Sequence, residues 1–332
     1  MTTEGDNAER SVTLIIPSVY HRARFVDRVL YYLSHSGFRC PVVVTDHSPH
    51  EHASVISDIV KRQRGLDVTL LAHPTDMHFL KRLSDCAAVA QTAFVHLHAD
   101  DDFVVRPTLK LLIAEMQQRP ELAAAMGLNV HVTFETGGLT MLPKTGLRQA
   151  KPFDRLVGQL QTYSSVLYAL RRRDEFIESL SFAVERCPDV QFWQYLESCV
   201  AVLSGAVTVL EDLHYVREVH SAKWSASLTR ERSPEHFPYL VLSPEFSPRV
   251  AAFREALLAA CEARGIPVDR GAIDAGLVHL LHRGLGAMGL PDTQVVSPNL
   301  EGNPLARLSK RFSDNDDPIT IELKRIFQAA NR

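Results

Sequence analysis

Three consecutive carboxylates directly after an apolar run constrain this chain more than any other feature. The run 94–97 is typical of a buried strand, and Asp100, Asp101 and Asp102 follow it closely. Adjacent negative charges repel one another, so a fold that gathers them usually brings a cation, and Mg²⁺ and Mn²⁺ prefer oxygen ligands. The segment predicts a metal–diphosphate site at the carboxyl end of a central strand. The alternative is structural, because Asp also forms turns and caps helices.

Apolar strand-like runs alternate with helical patterns along most of the chain. The predicted strands are 12–16, 41–45, 68–71, the run before the aspartates, 123–134, 163–170 and 206–210. The predicted helices between them are 25–33, 52–63, 78–90, 107–119, 171–180 and 190–203, with a loop at 135–152. Such alternation implies right-handed βαβ units and an α/β fold with a mixed, mostly parallel sheet flanked by helices.

Composition leaves room for a sizeable enzyme with an appendage. The chain has 332 residues, of which 45% are hydrophobic and 23% charged. We expect a disordered N-terminus at 1–10, a catalytic domain at 11–245 and a helical C-terminal region at 246–332. A net charge of −3 gives no basic field for nucleic acid. Five scattered cysteines, no signal peptide and no membrane-spanning run predict a cytoplasmic protein.

The order of three strand ends resembles glycosyltransferase family 2. The pieces are Val-Thr-Leu-Ile-Ile-Pro-Ser at 12–18 with Arg22 after it, Val-Val-Val-Thr-Asp-His-Ser at 42–48, and then the aspartate-rich turn. The similarity covers residues 11–224. It implies the GT-A fold, a Rossmann-like fold of nucleotide-diphospho-sugar transferases, and a UDP- or GDP-sugar as donor.

The resemblance also implies roles for the residues at these strand ends. Pro17, Ser18 and Tyr20 would line the nucleotide pocket, and Arg22 would lie near the base or diphosphate. Asp46 would accept a hydrogen bond from the base. Lys81 and Arg82 would lie near the nucleotide. Asp46 has the alternative role of a turn cap, and Lys81 and Arg82 that of a solvated helix face. A solvated helix start would explain Arg22 almost as well.

The aspartate triplet matches the family's DxD element, which contacts the ribose and holds the metal. Two registers are possible, because the motif begins either at His98 or within the triplet, and His98 is itself a possible neighbouring ligand. Our first choice for the Mn²⁺ or Mg²⁺ ligand is Asp102, with Asp100 and Asp101 on the nucleotide-sugar. In the family this metal acts as a Lewis acid on the leaving diphosphate.

An inverting transferase needs a general base, and the resemblance indicates Asp189, directly before the helix predicted at 190–203. Glu185 and Glu197 are substitutes, and a helix cap is the structural alternative. Further along the chain, the resemblance implies that His220 completes the coordination shell of the metal. It also implies that Arg217 and Lys223 contact the phosphates of the donor. His214 is the rival histidine, and an exposed polar loop is the structural alternative.

We therefore expect a metal-dependent, inverting glycosyltransferase that transfers a sugar to a hydroxyl acceptor, which is a saccharide, a lipid-linked molecule or a small molecule. The alternatives are a sugar-1-phosphate nucleotidyltransferase and a non-catalytic nucleotide-binding protein. The first needs a Gly-rich phosphate loop, and residues 18–22 contain no glycine. The C-terminal helices suit a homodimer contact. Basic residues near 310 and 324 also suit peripheral association with the inner membrane face, although acidic residues at 314–317 oppose it.

Overall fold

The computed structural model describes residues 8–134, 138–142, 144–187, 189, 192–219, 244–289 and 314–331, with the backbone alone for 142 and 282–289. The strands are β1 (Val12–Ser18), β2 (Val42–Asp46), β3 (Val68–Ala72), β4 (Phe94–Leu97), β5 (Phe103–Val104), β6 (Leu122–Thr133), β7 (Gly138–Leu142), β8 (Leu170–Arg172) and β9 (Ala206–Glu218). The helices are α1 (Ala23–His35), α2 (Ala53–Arg62), α3 (Phe79–Val89), α4 (Arg106–Gln118), α5 (Pro152–Thr162), α6 (Arg173–Arg186), α7 (Trp193–Ser204), α8 (Phe246–Glu262), α9 (Arg270–Gly289) and α10 (Pro318–Ala330).

The described strands form one mixed sheet in the order β3-β2-β1-β4-β8-β6-β9-β5, with β7 paired to β6. Strands β1 to β4 run parallel. β8 is antiparallel to both β4 and β6, so β6 runs in the same direction as β4, and β9 is parallel to β6. The carboxyl ends of β1, β2, β4, β6 and β9 therefore open at one edge of the sheet, where α/β folds bind their ligands.

Helices cover both faces of the sheet, and successive strand residues point to opposite faces. Leu14 and Ile16 of β1 join a core with α1, α4 and α10, whereas Ile15 joins a core with α3, α6 and α7. Burial on both sides explains why the parallel strands have continuous apolar sequences. The predicted α/β class with a helical C-terminal part is confirmed.

The segment between β6 and α6 differs from the sequence prediction. β7 lies within the predicted loop at 135–152, and α5 follows it. The strand predicted at 163–170 is wrong, since β8 begins only at Leu170. The apolar spacing of Phe153, Leu156 and Leu160 after Pro152 carries the helix signal of α5. β9 also continues well beyond residue 210, to Glu218.

The C-terminal helices pack onto the sheet domain. α9 contacts α5, and α10 contacts α1 and α4. The Tyr32 hydroxyl of α1 donates to Glu322 of α10 at 2.6 Å. The domain boundary at residue 245 and the homodimer contact stay predictions. No described helix is long and apolar enough to cross a membrane.

Candidate functional site

The sequence-predicted site residues gather at the carboxyl edge of the parallel strands. Register places Ser18 at the end of β1 opposite Asp46 at the end of β2, and Pro17 opposite Thr45. The aspartate triplet follows β4, the other neighbour of β1. The base-binding carboxylate and the acidic turn predicted from sequence therefore lie on the two sides of β1.

Arg22 neutralises two of the three aspartates. A single 3₁₀ turn, Tyr20–Arg22, follows β1 and places this arginine beside the acidic turn. Arg22 Nε donates to both Asp100 oxygens at 2.8 Å, and Nη2 donates to Asp101 Oδ2 at 2.6 Å. Ser18 Oγ donates to Asp100 Oδ2 at 2.9 Å. Burial raises the pKa of Asp100, although these donors oppose the rise. The Arg22 guanidinium therefore supplies part of the positive charge that offsets the repulsion among the three carboxylates.

Asp102 is held differently from its two neighbours. Its Oδ1 accepts the Glu218 backbone N–H at 3.0 Å, which ties the acidic turn to the end of β9. The residue is 2% exposed, and burial together with the charge of Asp101 raises its pKa, against the effect of Arg217. Unlike Asp100 and Asp101, it has no ion pair with a described residue.

Carboxylate oxygens such as those of the triplet are preferred ligands of Mg²⁺ and Mn²⁺. Asp102 is the carboxylate of the triplet that forms no ion pair with a described arginine. Across the described ranges, no three His, Cys, Asp or Glu side chains form a group that could hold a metal ion. An ion here would need further oxygen ligands, which a bound diphosphate supplies in many Mg²⁺ sites. His220 and Lys223 lie outside the described residues.

Asp46 organises the polar end of β2. Its Oδ1 accepts hydrogen bonds from Ser48 N at 2.9 Å and Ser48 Oγ at 2.5 Å. Ser48 Oγ in turn accepts the Tyr20 N–H at 2.7 Å, so β1 and β2 are joined above the sheet edge. The Tyr20 ring stacks on His52 with centroids 4.0 Å apart. Both the capping role and the base-binding role of Asp46 are compatible with this geometry.

The two basic residues predicted from α3 lie in different environments. Arg82 is 6% exposed, and its Nη1 lies 2.6 Å from His47 Nδ1, which in turn lies 2.8 Å from the Ser18 carbonyl. Burial lowers the pKa of both Arg82 and His47. Lys81 lies on the exposed side of α3 and pairs with Asp85 at 2.6 Å. The structure therefore brings Arg82, but not the Lys81 amine, to the strand ends.

Asp189 lies four positions before the first residue of α7 and contacts α8. Its Oδ2 lies 2.7 Å from Arg249 Nε, and Oδ1 accepts the Phe192 N–H at 3.3 Å. Glu197, one of the substitutes, is fully buried and paired with Arg171 at 2.5 Å. This pairing gives Glu197 a structural role. The contacts described for Asp189 link it to α8 rather than to the triplet.

Sequence reasoning missed two side chains beside the triplet, Tyr168 and Tyr215, whose pKa values are raised by burial and by the aspartate charges. It also missed Lys144 and His131, whose pKa values are lowered by burial and by the charge of Arg217. Tyr215 Oη accepts the Ala99 N–H at 3.0 Å, directly before the triplet. Burial and the aspartate charges raise the pKa of Tyr168 to about 12. No local motif marks these residues, because they come from separate segments and meet only through the pairing of β6, β8 and β9.

No family model and no curated protein matches this sequence. Crystal structures of residues 1–349 of TarS from S. aureus, a GT-A glycosyltransferase, match over nearly the whole chain. The complex with UDP-GlcNAc has a TM-score of 0.55 at 14% identity and covers 96% of this chain and 89% of that one. The complex with UDP has a TM-score of 0.53 at 13% identity over the same shares. The chain therefore has the GT-A fold that the resemblance implied.

Proposed function

We propose that this protein is a metal-dependent glycosyltransferase that moves a sugar from a nucleoside-diphosphate donor to a hydroxyl acceptor, with inversion. The observation that carries the proposal is the convergence of Asp46, Arg22 and the aspartate triplet at one sheet edge of a GT-A fold. The TarS structures contain UDP-GlcNAc and UDP, which makes uridine diphosphate the first nucleotide to test and GDP the second. The acceptor is a saccharide, a lipid-linked molecule or a small molecule.

The nucleotide would lie over β1 and β2. Asp46 Oδ2 makes no hydrogen bond with a described residue, so it can accept an N–H from a base. Pro17, Ser18 and Tyr20 would line this pocket, with Arg82 as its buried cation. Arg22 would hold Asp100 and Asp101 in place and present its guanidinium toward the phosphates.

The diphosphate would lie over the triplet. Asp102 would hold Mn²⁺ or Mg²⁺, with His220 as a further ligand, and the ion would supply Lewis-acid stabilisation of the leaving diphosphate. Arg217, at the end of β9, lies close enough for Asp102 to raise its pKa against the opposing effect of burial. A permanent positive charge at this position, with Lys223, would favour bond cleavage by balancing the leaving group.

The base for inversion would be Asp189, which precedes α7 and whose side chain is 13% exposed. A general base must reach the acceptor hydroxyl, either directly or through one water. The acceptor would therefore approach between this helix and the triplet. We place the reaction in the cytoplasm, with peripheral contact at the inner membrane face for a lipid-linked acceptor.

Calorimetric titration with UDP and GDP, with and without Mn²⁺, tests the proposal. We expect one nucleotide to bind, and Mn²⁺ to raise its affinity by about tenfold or more, since the ion neutralises charge between carboxylate and diphosphate. Asp102→Asn should abolish the Mn²⁺ effect. The control is Asp58→Asn, which removes a carboxylate that is 61% exposed on α2.

Absence of binding by both nucleotides would contradict the proposal. Nucleotide binding that neither responds to Mn²⁺ nor changes in Asp102→Asn would reject the metal site. A sugar-1-phosphate nucleotidyltransferase would instead consume a nucleoside triphosphate and release pyrophosphate. A non-catalytic binding protein would bind nucleotide without hydrolysing or transferring the sugar of UDP-GlcNAc or of a GDP-sugar.

A further inference from the structure

An ion pair joins α1 to the end of β9 beside the acidic turn, and the proposed nucleotide site does not account for it. Arg28 Nη2 contacts Glu218 Oε2, and the two side chains are 10% and 11% exposed. Val216, two positions before Glu218, is buried in the core that α1 shares with the sheet. Because alternate strand residues lie on one face, the Glu218 side chain also points toward α1. The ion pair is therefore enclosed between helix and sheet, where removing either partner leaves a poorly hydrated charge.

Glu218 also holds Asp102, through its backbone rather than its side chain. β5 pairs Phe103 with Val216 of β9, and Asp102 directly precedes Phe103 in the chain. Beyond that pair, the Glu218 N–H donates to Asp102 Oδ1 at 3.0 Å. The carboxylate thus takes the place of a main-chain acceptor at the end of the β5/β9 pair. Its orientation depends on where the Glu218 backbone lies.

Arg28 contacts the residue on the other side of Asp102 as well. Its guanidinium carbon lies 5.8 Å from the centroid of the Phe103 ring. The same carbon lies 5.2 Å from the ring of Phe25 on α1. Cations at these distances are attracted to the faces of aromatic rings. One guanidinium thus contacts both the residue that donates to the Asp102 carboxylate and the residue that follows Asp102.

Asp102 differs from the rest of the triplet in how it is connected to α1. Arg22, the N-cap of this helix, pairs directly with the first two aspartates. Among the described residues, Asp102 has no such ion pair, and its connection to α1 runs through Glu218 to Arg28. An indirect connection of this kind fixes the carboxylate without placing an arginine on it, which leaves it able to bind a divalent cation.

We propose that Arg28 is a positioning residue for the metal site. Its ion pair with Glu218 fixes the end of β9, and the Glu218 N–H then holds Asp102 in the orientation that binds Mn²⁺ or Mg²⁺. Residues that orient a metal ligand raise the affinity for the metal without contacting it. The inference rests on the proposed function, in which Asp102 is the metal ligand.

The test compares the affinity for UDP with and without Mn²⁺ by calorimetric titration, or the affinity for GDP if only GDP binds. The readout is the ratio of the two affinities, which we call the Mn²⁺ enhancement. A direct partner of a metal ligand contributes about tenfold or more to metal affinity, and Arg28 acts through one further residue. We therefore expect Arg28→Met to lower the Mn²⁺ enhancement about threefold or more, with the metal-free affinity unchanged.

Further variants separate positioning from a general loss of stability. Glu218→Gln removes the partner carboxylate and should lower the Mn²⁺ enhancement as Arg28→Met does, and the double variant should lose no more than either single variant. Arg28→Lys keeps a positive charge for Glu218 and should recover part of the enhancement. The control is Arg24→Met, because Arg24 lies on the same helix and its guanidinium carbon is 4.5 Å from the same Phe25 ring. Urea denaturation of each variant checks that it is folded.

Each outcome decides the proposal. A wild-type Mn²⁺ enhancement in both Arg28→Met and Glu218→Gln would overturn it, as would additive losses in the double variant. Loss of the metal-free nucleotide affinity in Arg28→Met, with the enhancement unchanged, would assign Arg28 to the nucleotide pocket or to the fold alone, and would also overturn it. Failure of the proposed function shows separately in the wild type, as absence of nucleotide binding or of any Mn²⁺ effect. That result would remove the metal ligand that Arg28 positions, and the inference with it.

Discussion

At the scale of single residues, the aspartate triplet shows how the fold offsets the repulsion among three adjacent carboxylates. Three adjacent carboxylates predict a cation, and the structure supplies a guanidinium for two of them. Arg22 is separated from Asp100 by 78 positions, so no local pattern could have paired them. The resemblance predicts Arg22 near the base or the diphosphate, while its contact with the acidic turn comes from the structure.

Replacing Arg22 with methionine should destabilise the protein and weaken nucleotide binding. The change leaves Asp100, which is 4% exposed, without its main donor, and we expect a loss of about 2 kcal/mol in the free energy of unfolding. Urea denaturation measures the loss, and the affinity for UDP or GDP should fall at the same time. The control is Arg24→Met on the exposed side of α1.

A double variant separates the ion pair from other effects of the substitution. Asp100→Asn in the Arg22→Met background should recover part of the stability, because it removes the unpaired buried charge. If Arg22→Met and Arg24→Met are equally stable, or if the second substitution recovers nothing, the ion pair does not stabilise the fold as described.

At the scale of secondary-structure elements, β4 and β9 meet through a buried histidine pair below the site. His96 Nε2 and His214 Nε2 lie 3.0 Å apart, and both residues are fully buried. The Nδ1 atom of each has no hydrogen-bond partner among the described residues. His214 was the rival metal ligand in the sequence, and the structure places it in the interior against another imidazole.

This pair should make stability depend on acid pH. Burial and nearby positive charge lower the pKa of His214 to about 3, and burial with the two neighbouring histidines lowers that of His96 well below its ordinary value. Because the unfolded histidines bind protons below about pH 6.5, stability is full above that pH and falls as the pH drops toward the folded values. Each histidine contributes a slope of about 1.4 kcal/mol per pH unit in this window.

Urea denaturation at several pH values between 7 and 4 measures the effect. The variant His96→Leu with His214→Leu should show a shallower loss of stability than the wild type over this range. Parallel curves for the two proteins would show that the pair does not bind protons differently in the folded and unfolded states. Comparing the slopes rather than the absolute stabilities cancels the packing cost of the substitutions.

At the scale of the whole molecule, the C-terminal helices belong to the packing of the sheet domain. α10 covers the face formed by α1 and α4, and Ile326 is fully buried there, whereas Ile321 on the same helix is 37% exposed. This burial joins chain segments almost 300 positions apart, as the bond between Tyr32 and Glu322 also does, with a separation of 290. A docked α10 is thus expected to stabilise the sheet domain.

Ile326→Ala should lower the free energy of unfolding by about 3 kcal/mol, through lost transfer free energy and a residual cavity. Ile321→Ala is the matched control in the same helix, and it should cost much less. Chemical denaturation with a single transition would show that α10 and the sheet unfold together. Equal costs for the two substitutions, or a separate early transition for Ile326→Ala, would indicate that α10 is not packed as described.

The β1-to-β4 half of the fold could be predicted because its signals are local. Strands such as 12–16 are buried on both faces, so their apolar character is visible without knowing their neighbours. The segment after β6 is harder to predict from sequence. α5 follows a stretch rich in glycine and proline that is typical of a loop, and β7 is a short edge strand. Its pairing with β6 depends on contacts that no local pattern displays.

Local sequence patterns were enough to predict the α/β class, the acidic turn after β4, and Asp46 at the end of β2, because strand burial and turn chemistry are local. Tertiary contacts were needed to show that Arg22 balances Asp100 and Asp101 and that the Lys81 amine faces away from the strand ends. Charge balance at the site depends on distances between side chains. Those distances are set by sheet register and helix packing, which join positions far apart in the chain.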